Sequence, residues 1–297
     1  MNLFSEHQLA HRYLAGRITK FVFRWAILLG IGFIMLYPIL FMTSNAVRAV
    51  EDTYDPTVIW IPKHFSFESF QVSIQMLDYL HSVLRTLRIL VPSVALQLVS
   101  VLMAGYGFAR FSFQGKNILF ALLIFTIIVP SQTYIIPQYA NLRFFDLFGL
   151  GQLARIFTGE PLTFNLLNTD WCFYIPALFG FGIRSGLYIF ILRQFFRNMP
   201  KELEDAAMID GCGPIKTFVK IMVPNVIPAL VTVLVFSVVW YWNDYMLPSM
   251  FLNNDQPLAV KLTMVKTILG AKEQNSMGAI NAVDMKLMRD AIFAASC

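Results

Sequence analysis

Residues 200–228 read PKELEDAAMIDGCGPIKTFVKIMVPNVIP, a charged stretch set between two long apolar runs. A loop that only joins two membrane helices needs no such organisation. Pro200 stands where the first turn of a helix has no use for an N–H. Glu202, Glu204 and Asp205 place negative charge at the positive end of that helix's dipole. Gly211 falls where a helix ends on a left-handed residue. Between them, Ala206 and Ala207 leave a smooth patch that another protein can approach closely. The stretch therefore predicts a short soluble helix with its own start and stop, built to dock.

The rest of the chain places that loop in a membrane. Its 297 residues are 57% hydrophobic, 15% aromatic and only 14% charged, with a mean hydropathy of +0.61. A soluble domain of this length would need far more charge to stay dispersed. Five apolar runs, 25–43, 87–109, 118–137, 171–192 and 225–251, approach the ~20 residues that cross a bilayer as a helix. Helix is the expected form because an open sheet edge cannot satisfy its backbone in lipid. The expectation is an all-α, polytopic membrane protein.

Charge sets the expected orientation. Segments 1–24, 110–117 and 193–224 carry Arg12, Arg17, Lys20, Arg24, Arg110, Lys116, Arg193, Arg197, Lys201, Lys216 and Lys220. The opposite segments, 44–86, 138–170 and 252–290, spread a similar number over much more chain. This asymmetry predicts a cytosolic N-terminus and a cytosolic docking loop. The first apolar run is long and no small-residue cleavage site follows it, so it reads as a retained span rather than a leader. The net charge of +5 fits membrane orientation and not nucleic acid. Residues 291–297, AIFAASC, begin a further apolar run, but seven helical residues reach only ~10 Å. The expected organisation is a tail, 1–24, and a membrane domain, 25–297, with five complete spans and a truncated sixth.

No catalytic constellation emerges. His7, His11, His64 and His81 form no HExxH pattern, and Gly115-Lys116 lacks the remaining residues of a P-loop. Cys172, Cys212 and Cys297 stand apart from one another. No metal, cofactor or catalytic residue is expected, and any ATP must be bound by another chain. Two groups inside the apolar runs invite function. Arg184 lies within 171–192, where an ionisable side chain is costly and faces a bundle interior or a watery cavity. It either lines a route through the bundle or pairs with Asp244, or it snorkels from a break opened by Gly180, Gly182 and Gly186. Trp240, Trp242, Asn243 and Asp244 form the second group. They read either as an interfacial aromatic anchor or as aromatic faces and polar groups that meet a sugar.

Asp205-Ala206-Ala207, then Gly211, then Ile221, Val223 and Pro224 reproduce the spacing EAA–x3–G–x9–I–x–L–P, with Asp for Glu and Val for Leu. The chain thereby resembles the membrane subunits of bacterial ATP-binding-cassette importers. WIPKHFSFESF from Trp60, RQFFRNMPKELEDAAMIDGCG from Arg193 and WNDYMLP from Trp242 are similar to the second permease of maltose-type sugar importers. The resemblance implies a type I importer permease fold in a bacterial cytoplasmic membrane. Glu204, Asp205, Ala206, Ala207, Asp210 and Gly211 would then couple to an ATPase, while Arg184, Trp242, Asn243 and Asp244 line the solute path. The implied partners are a second permease subunit, two ATP-binding subunits, an extracytoplasmic solute-binding protein and the lipid bilayer. The implied function is sugar or oligosaccharide import without enzymatic activity in this chain. The rival reading, a secondary transporter or channel driven by an ion gradient, would make intramembrane acids prominent, and there are few beyond Asp244.

Overall fold

The computed structural model describes residues 3–264 except 54, 59, 147–148, 150, 152–154, 156–158 and 160. The expected truncated span at 291–297, and all of the 252–290 segment beyond residue 264, lie outside the described residues. The chain divides into two compact units, one running up to Asp78 and one over Tyr79–Met264.

In the first unit, helix α1 (Leu3–Ala46) runs 44 residues without interruption, so the expected tail and first span are one element. Its apolar part, Gly16–Ala46, is long enough to cross a bilayer and, up to its last turn, presents its side chains outward all round. That pattern suits a helix whose surroundings are lipid or other chains. After the short α2 (Val50–Thr53), the chain doubles back through an antiparallel bridge between Arg48 and Phe65 and continues as α3 (Glu68–Leu77). Asp52 fastens this return, accepting the His64 backbone N–H at 2.6 Å and facing the His64 ring at 2.7 Å.

The second unit is organised on α4 (Tyr79–Arg110), 32 residues in one unbroken helix. Further along follow α5 (Lys116–Ile128), α6 (Ser131–Arg143), α7 (Trp171–Leu178), α8 (Ser185–Asn198) and α9 (Glu202–Ile209). Then α10 (Pro214–Thr217), a π-helical turn (Phe218–Met222) and α11 (Val223–Asn225) lead into α12 (Ile227–Asn243) and α13 (Met246–Phe251). The main core gathers Val101 from α4, Tyr188, Leu192 and Phe196 from α8, and Ala229 and Val233 from α12. Gly105 allows α4 and α8 to touch, since a Cβ there would stand 2.8 Å from the Leu192 Cβ.

Three of the expected spans prove to be bent. The 118–137 run turns by 109° between Lys116–Ile128 and Gln132–Arg143, at Pro130, which has no N–H to continue the helix. The 171–192 run breaks between α7 and α8, with Gly180 and Arg184 both at positive φ, the break that Gly180 made available. The 225–251 run meets the Pro214–Asn225 helix at 77° and breaks again at Asp244. Apolar runs report what is buried in lipid, and prolines and glycines decide whether the helix inside them is straight.

Candidate functional site

The docking helix predicted at 200–211 is present as α9. The Lys201 carbonyl accepts the N–H groups of Glu204 and Asp205 at 2.9 and 3.1 Å, which starts the first turn. At the other end the Gly211 N–H donates to Met208 O at 3.0 Å and the Cys212 N–H to Ala207 O at 2.9 Å. This pair of bonds is the Schellman closure, with Asp210 as the last capping residue and Gly211 left-handed at φ +77°.

The six coupling candidates separate into two groups. Glu204 turns inward: the Tyr106 hydroxyl donates to its Oε1 at 2.8 Å, and Arg110 Nε lies 3.5 Å from its Oε2. Arg110 also donates to the Met199 carbonyl at 2.9 Å, so both ends of the 199–204 turn are tied to the last turns of α4. Ala207 is buried as well. A partner therefore meets Asp205, Ala206, Asp210 and Gly211, which are exposed, and not the Glu204 carboxylate or the Ala207 methyl. Beside them stand Met208, Ile209 and Ile215, with Ile209 at 86% exposure. Large apolar side chains held outside a core mark an interaction surface. Apolar Met208, Ile209 and Ile215 inside a charged loop were the signal for them in the sequence.

The second group assembles around the α7–α8 break. Arg184 precedes the first turn of α8 in a left-handed conformation, φ +58°, and its guanidinium lies 4.4 Å from the centre of the Trp240 ring on α12. A cation over an indole face is an attractive pairing. Asp244 is engaged elsewhere, its Oδ1 accepting the Met246 and Leu247 N–H groups at 3.0 and 3.3 Å across the α12–α13 joint. The structure thus pairs Arg184 with Trp240 and gives Asp244 a capping role. Asn243 donates to the Val239 carbonyl at 2.8 Å on its own helix, and Trp242 is exposed.

Two features had no counterpart in the sequence reading. First, α4 stitches the break. The carbonyls freed there are taken by Gln97, which donates to Ile183 O at 2.7 Å, and by Ser100, which donates to Ala177 O at 2.7 Å. Neighbouring polar side chains are what allow a membrane helix to break. Gln97, a polar residue inside a long apolar run, was the available signal. Second, the other end of α4 carries an ion cluster whose centre, Arg85 and Asp170, is buried. Arg85 pairs with Asp170, and its Nε lies 2.9 Å from Asp255 Oδ2, while Arg88 Nε lies 2.7 Å from Asp170 Oδ2. Its members are far apart in the chain, so only the fold unites them.

Comparison with known proteins bears on the family and the fold. The family of binding-protein-dependent transport system inner membrane components matches residues 98–283, more than half of the chain. The osmoprotective compounds uptake permease protein GgtD of Synechocystis is 28% identical over 84% of this chain and 78% of its own length. The diacetylchitobiose uptake system permease protein DasC of Streptomyces coelicolor is 27% identical, over 90% of this chain and 88% of its own. The polygalacturonan/rhamnogalacturonan transport system permease protein YtcP of Bacillus subtilis is 24% identical, over 82% and 77%. Among solved structures, a chain of a bacterial ABC transporter that imports the acidic polysaccharide alginate shares the fold. Its TM-score is 0.69 at 22% identity, with 94% of this chain and 91% of that chain covered.

Proposed function

The chain belongs to the family of binding-protein-dependent transport system inner membrane components, and from that premise we propose that it carries a sugar or oligosaccharide inward across the cytoplasmic membrane. It works as one of two permease subunits. ATP is hydrolysed on two separate ATP-binding subunits, and a solute-binding protein delivers solute from outside. DasC and YtcP, both named for saccharide uptake, support the solute class. The N-terminus and α9 lie on the cytosolic side, as the concentration of Lys and Arg in 1–24 and 193–224 favours.

One observation carries the mechanism: α9 is fixed to the end of α4 by Glu204 while its Asp205–Ala206 face stays outward. A subunit that seats on that face and shifts on binding ATP moves α9. The Tyr106–Glu204–Arg110 contacts pass the shift to α4, and α4 passes it to the break through Gln97 and Ser100. Differential binding of ATP to two conformations is what biases such an equilibrium. Arg184 and Trp240 lie on the solute route. Arg184 is exposed on the surface of this chain, and an exposed guanidinium at that depth needs a watery or partner-lined cavity, not lipid. The second permease closes that cavity.

The test is a tagged purification from native membranes in mild detergent, with co-purifying chains identified by mass spectrometry. An ATPase should be recovered with the wild type and lost with Asp205→Lys and with Gly211→Val, the latter because a β-branched residue is strained at φ +77°. Recovery of an ATPase with both variants, at wild-type yield, would sink the coupling assignment.

A further inference from the structure

The Gln97 amide touches both halves of the Arg184–Trp240 pair without touching either side chain. Its Nε2 donates to Ile183 O at 2.7 Å and to Ser185 Oγ at 2.8 Å, the residues immediately before and after Arg184. Its Oε1 accepts the Ser237 hydroxyl at 2.5 Å, one turn ahead of Trp240 on α12. Gln97 and Ser237 have no exposed surface, and Ser185 is buried with them. We propose that Gln97 is a positioning residue. By clamping the chain on either side of Arg184 to the turn that carries Trp240, it holds the guanidinium over the indole.

The physical case has three parts. Both amide N–H groups and the carbonyl are engaged, so the side chain has one orientation and no freedom to satisfy itself otherwise. Arg184 adopts a left-handed backbone that an L-residue avoids, and such a conformation persists only where its surroundings over-determine it. The clamp also has no slack: a Cβ on Gly182 would stand 2.9 Å from Gln97 Nε2 and 2.8 Å from the Tyr241 hydroxyl. Removing the amide would strip its bonds from the Ile183 carbonyl and from the buried Ser185 and Ser237 hydroxyls together, and buried polar groups that lose a partner are costly. The break would relax toward an ordinary helical turn and carry Arg184 off the ring.

The consequence for transport rests on the proposed solute route, but the geometric claim does not, and it can be tested without knowing the solute. In the full transporter complex, Trp25, Trp60, Trp171 and Trp242 are changed to Phe, leaving Trp240 as the only indole of this chain, and the partner subunits' tryptophans are likewise replaced. Emission maximum and acrylamide quenching of Trp240 are then read in Arg184→Ala, Gln97→Met and the double variant. A second background keeps Trp171 instead, as a reporter at the far end of α7. The expected result is a red shift and stronger quenching in both single variants, with no further change in the double, because Gln97 acts through Arg184. Trp171 should not respond. Additive effects, an unchanged Trp240 in Gln97→Met, or an equal response at Trp171 would each overturn the proposal, the last by showing general loosening. If Gln97→Met does not assemble, Ser185→Ala removes one bond only. It should shift Trp240 in the same direction and do nothing once Arg184 is Ala, and any other result counts against the clamp.

Discussion

The two ends of α4 solve the same problem in different ways. Arg85 and Arg110 stand roughly 37 Å apart along one unbroken helix, at ~1.5 Å per residue. At the Arg85 end, two arginines share Asp170 and a second carboxylate, Asp255, completes the cluster, with Arg85 and Asp170 almost fully removed from solvent. At the Arg110 end a single carboxylate, Glu204, is shared between one arginine at 3.5 Å and a tyrosine hydroxyl. The first arrangement locks α4 to the start of α7 and to the segment after α13. The second tethers one short helix by a contact that is easier to release. Under the proposed mechanism, the Arg85 end would be the fixed one and the Arg110 end the one where the ATPase pushes.

The largest effect is expected at the fixed end. Asp170→Leu leaves Arg85 buried without that carboxylate, and breaking a buried pair from one side costs about 3–5 kcal/mol. The protein should fail to accumulate or should melt far below wild type in detergent. An unchanged melting curve would mean that the cluster is incidental. Gly105→Val comes next: its Cβ would meet the Leu192 Cβ at 2.8 Å, an overpacking that costs about 1–3 kcal/mol and tests whether α4 and α8 must touch.

At the tethered end the loss should be smaller and of another kind. Tyr106→Phe removes a hydrogen bond to a charged group, worth about 1.5–3 kcal/mol, and Glu204→Ala removes that bond together with the Arg110 ion pair. The bundle should still fold in both, while recovery of the ATPase falls more in Glu204→Ala. Equal damage to folding at the two ends would erase the distinction between clasp and tether.

The smallest effect belongs to a third carboxylate pairing, Asp52–His64, which differs from the arginine pairs because histidine titrates near neutrality. The Asp52 hydrogen bond and charge raise the His64 pKa above its usual 6.5. Burial pushes the Asp52 carboxyl up, but the backbone N–H and ring of His64 and the Lys63 backbone outweigh it and lower it below 3.8. The contribution of His64 is thus complete below 6.5 and fades as pH rises through the raised value. That of Asp52 is complete above 3.8 and fades as pH falls through the lowered one. Limited proteolysis of the 44–66 segment should be slowest between those limits and faster at alkaline pH. His64→Gln should remove the alkaline acceleration.

What could be read in advance follows from the range of the interactions. The α9 helix was legible because its start, its acidic first turn and its Gly211 stop are local signals within a dozen residues. Its inward and outward faces were not, because Glu204 finds its partners in Tyr106 and Arg110, about a hundred positions earlier. The break at Arg184 could be foreseen as one of two readings, since Gly180 permits it, but permission does not choose. Gln97 and Ser100, supplied by α4, make the broken form satisfiable. Pairing with Asp244 was one of the readings open for Arg184, both being charges in apolar runs, yet the backbone N–H groups of α13 take the Asp244 carboxylate.

By itself, then, the sequence determined the membrane setting, the helical class and the docking helix, because hydropathy, helix ends and turn residues act over a few residues at a time. Tertiary structure alone decided which spans bend, which face of α9 is free, and which arginine meets which carboxylate. Those outcomes depend on polar groups that must find partners where water is absent, and only the packed chain determines which partners are within reach.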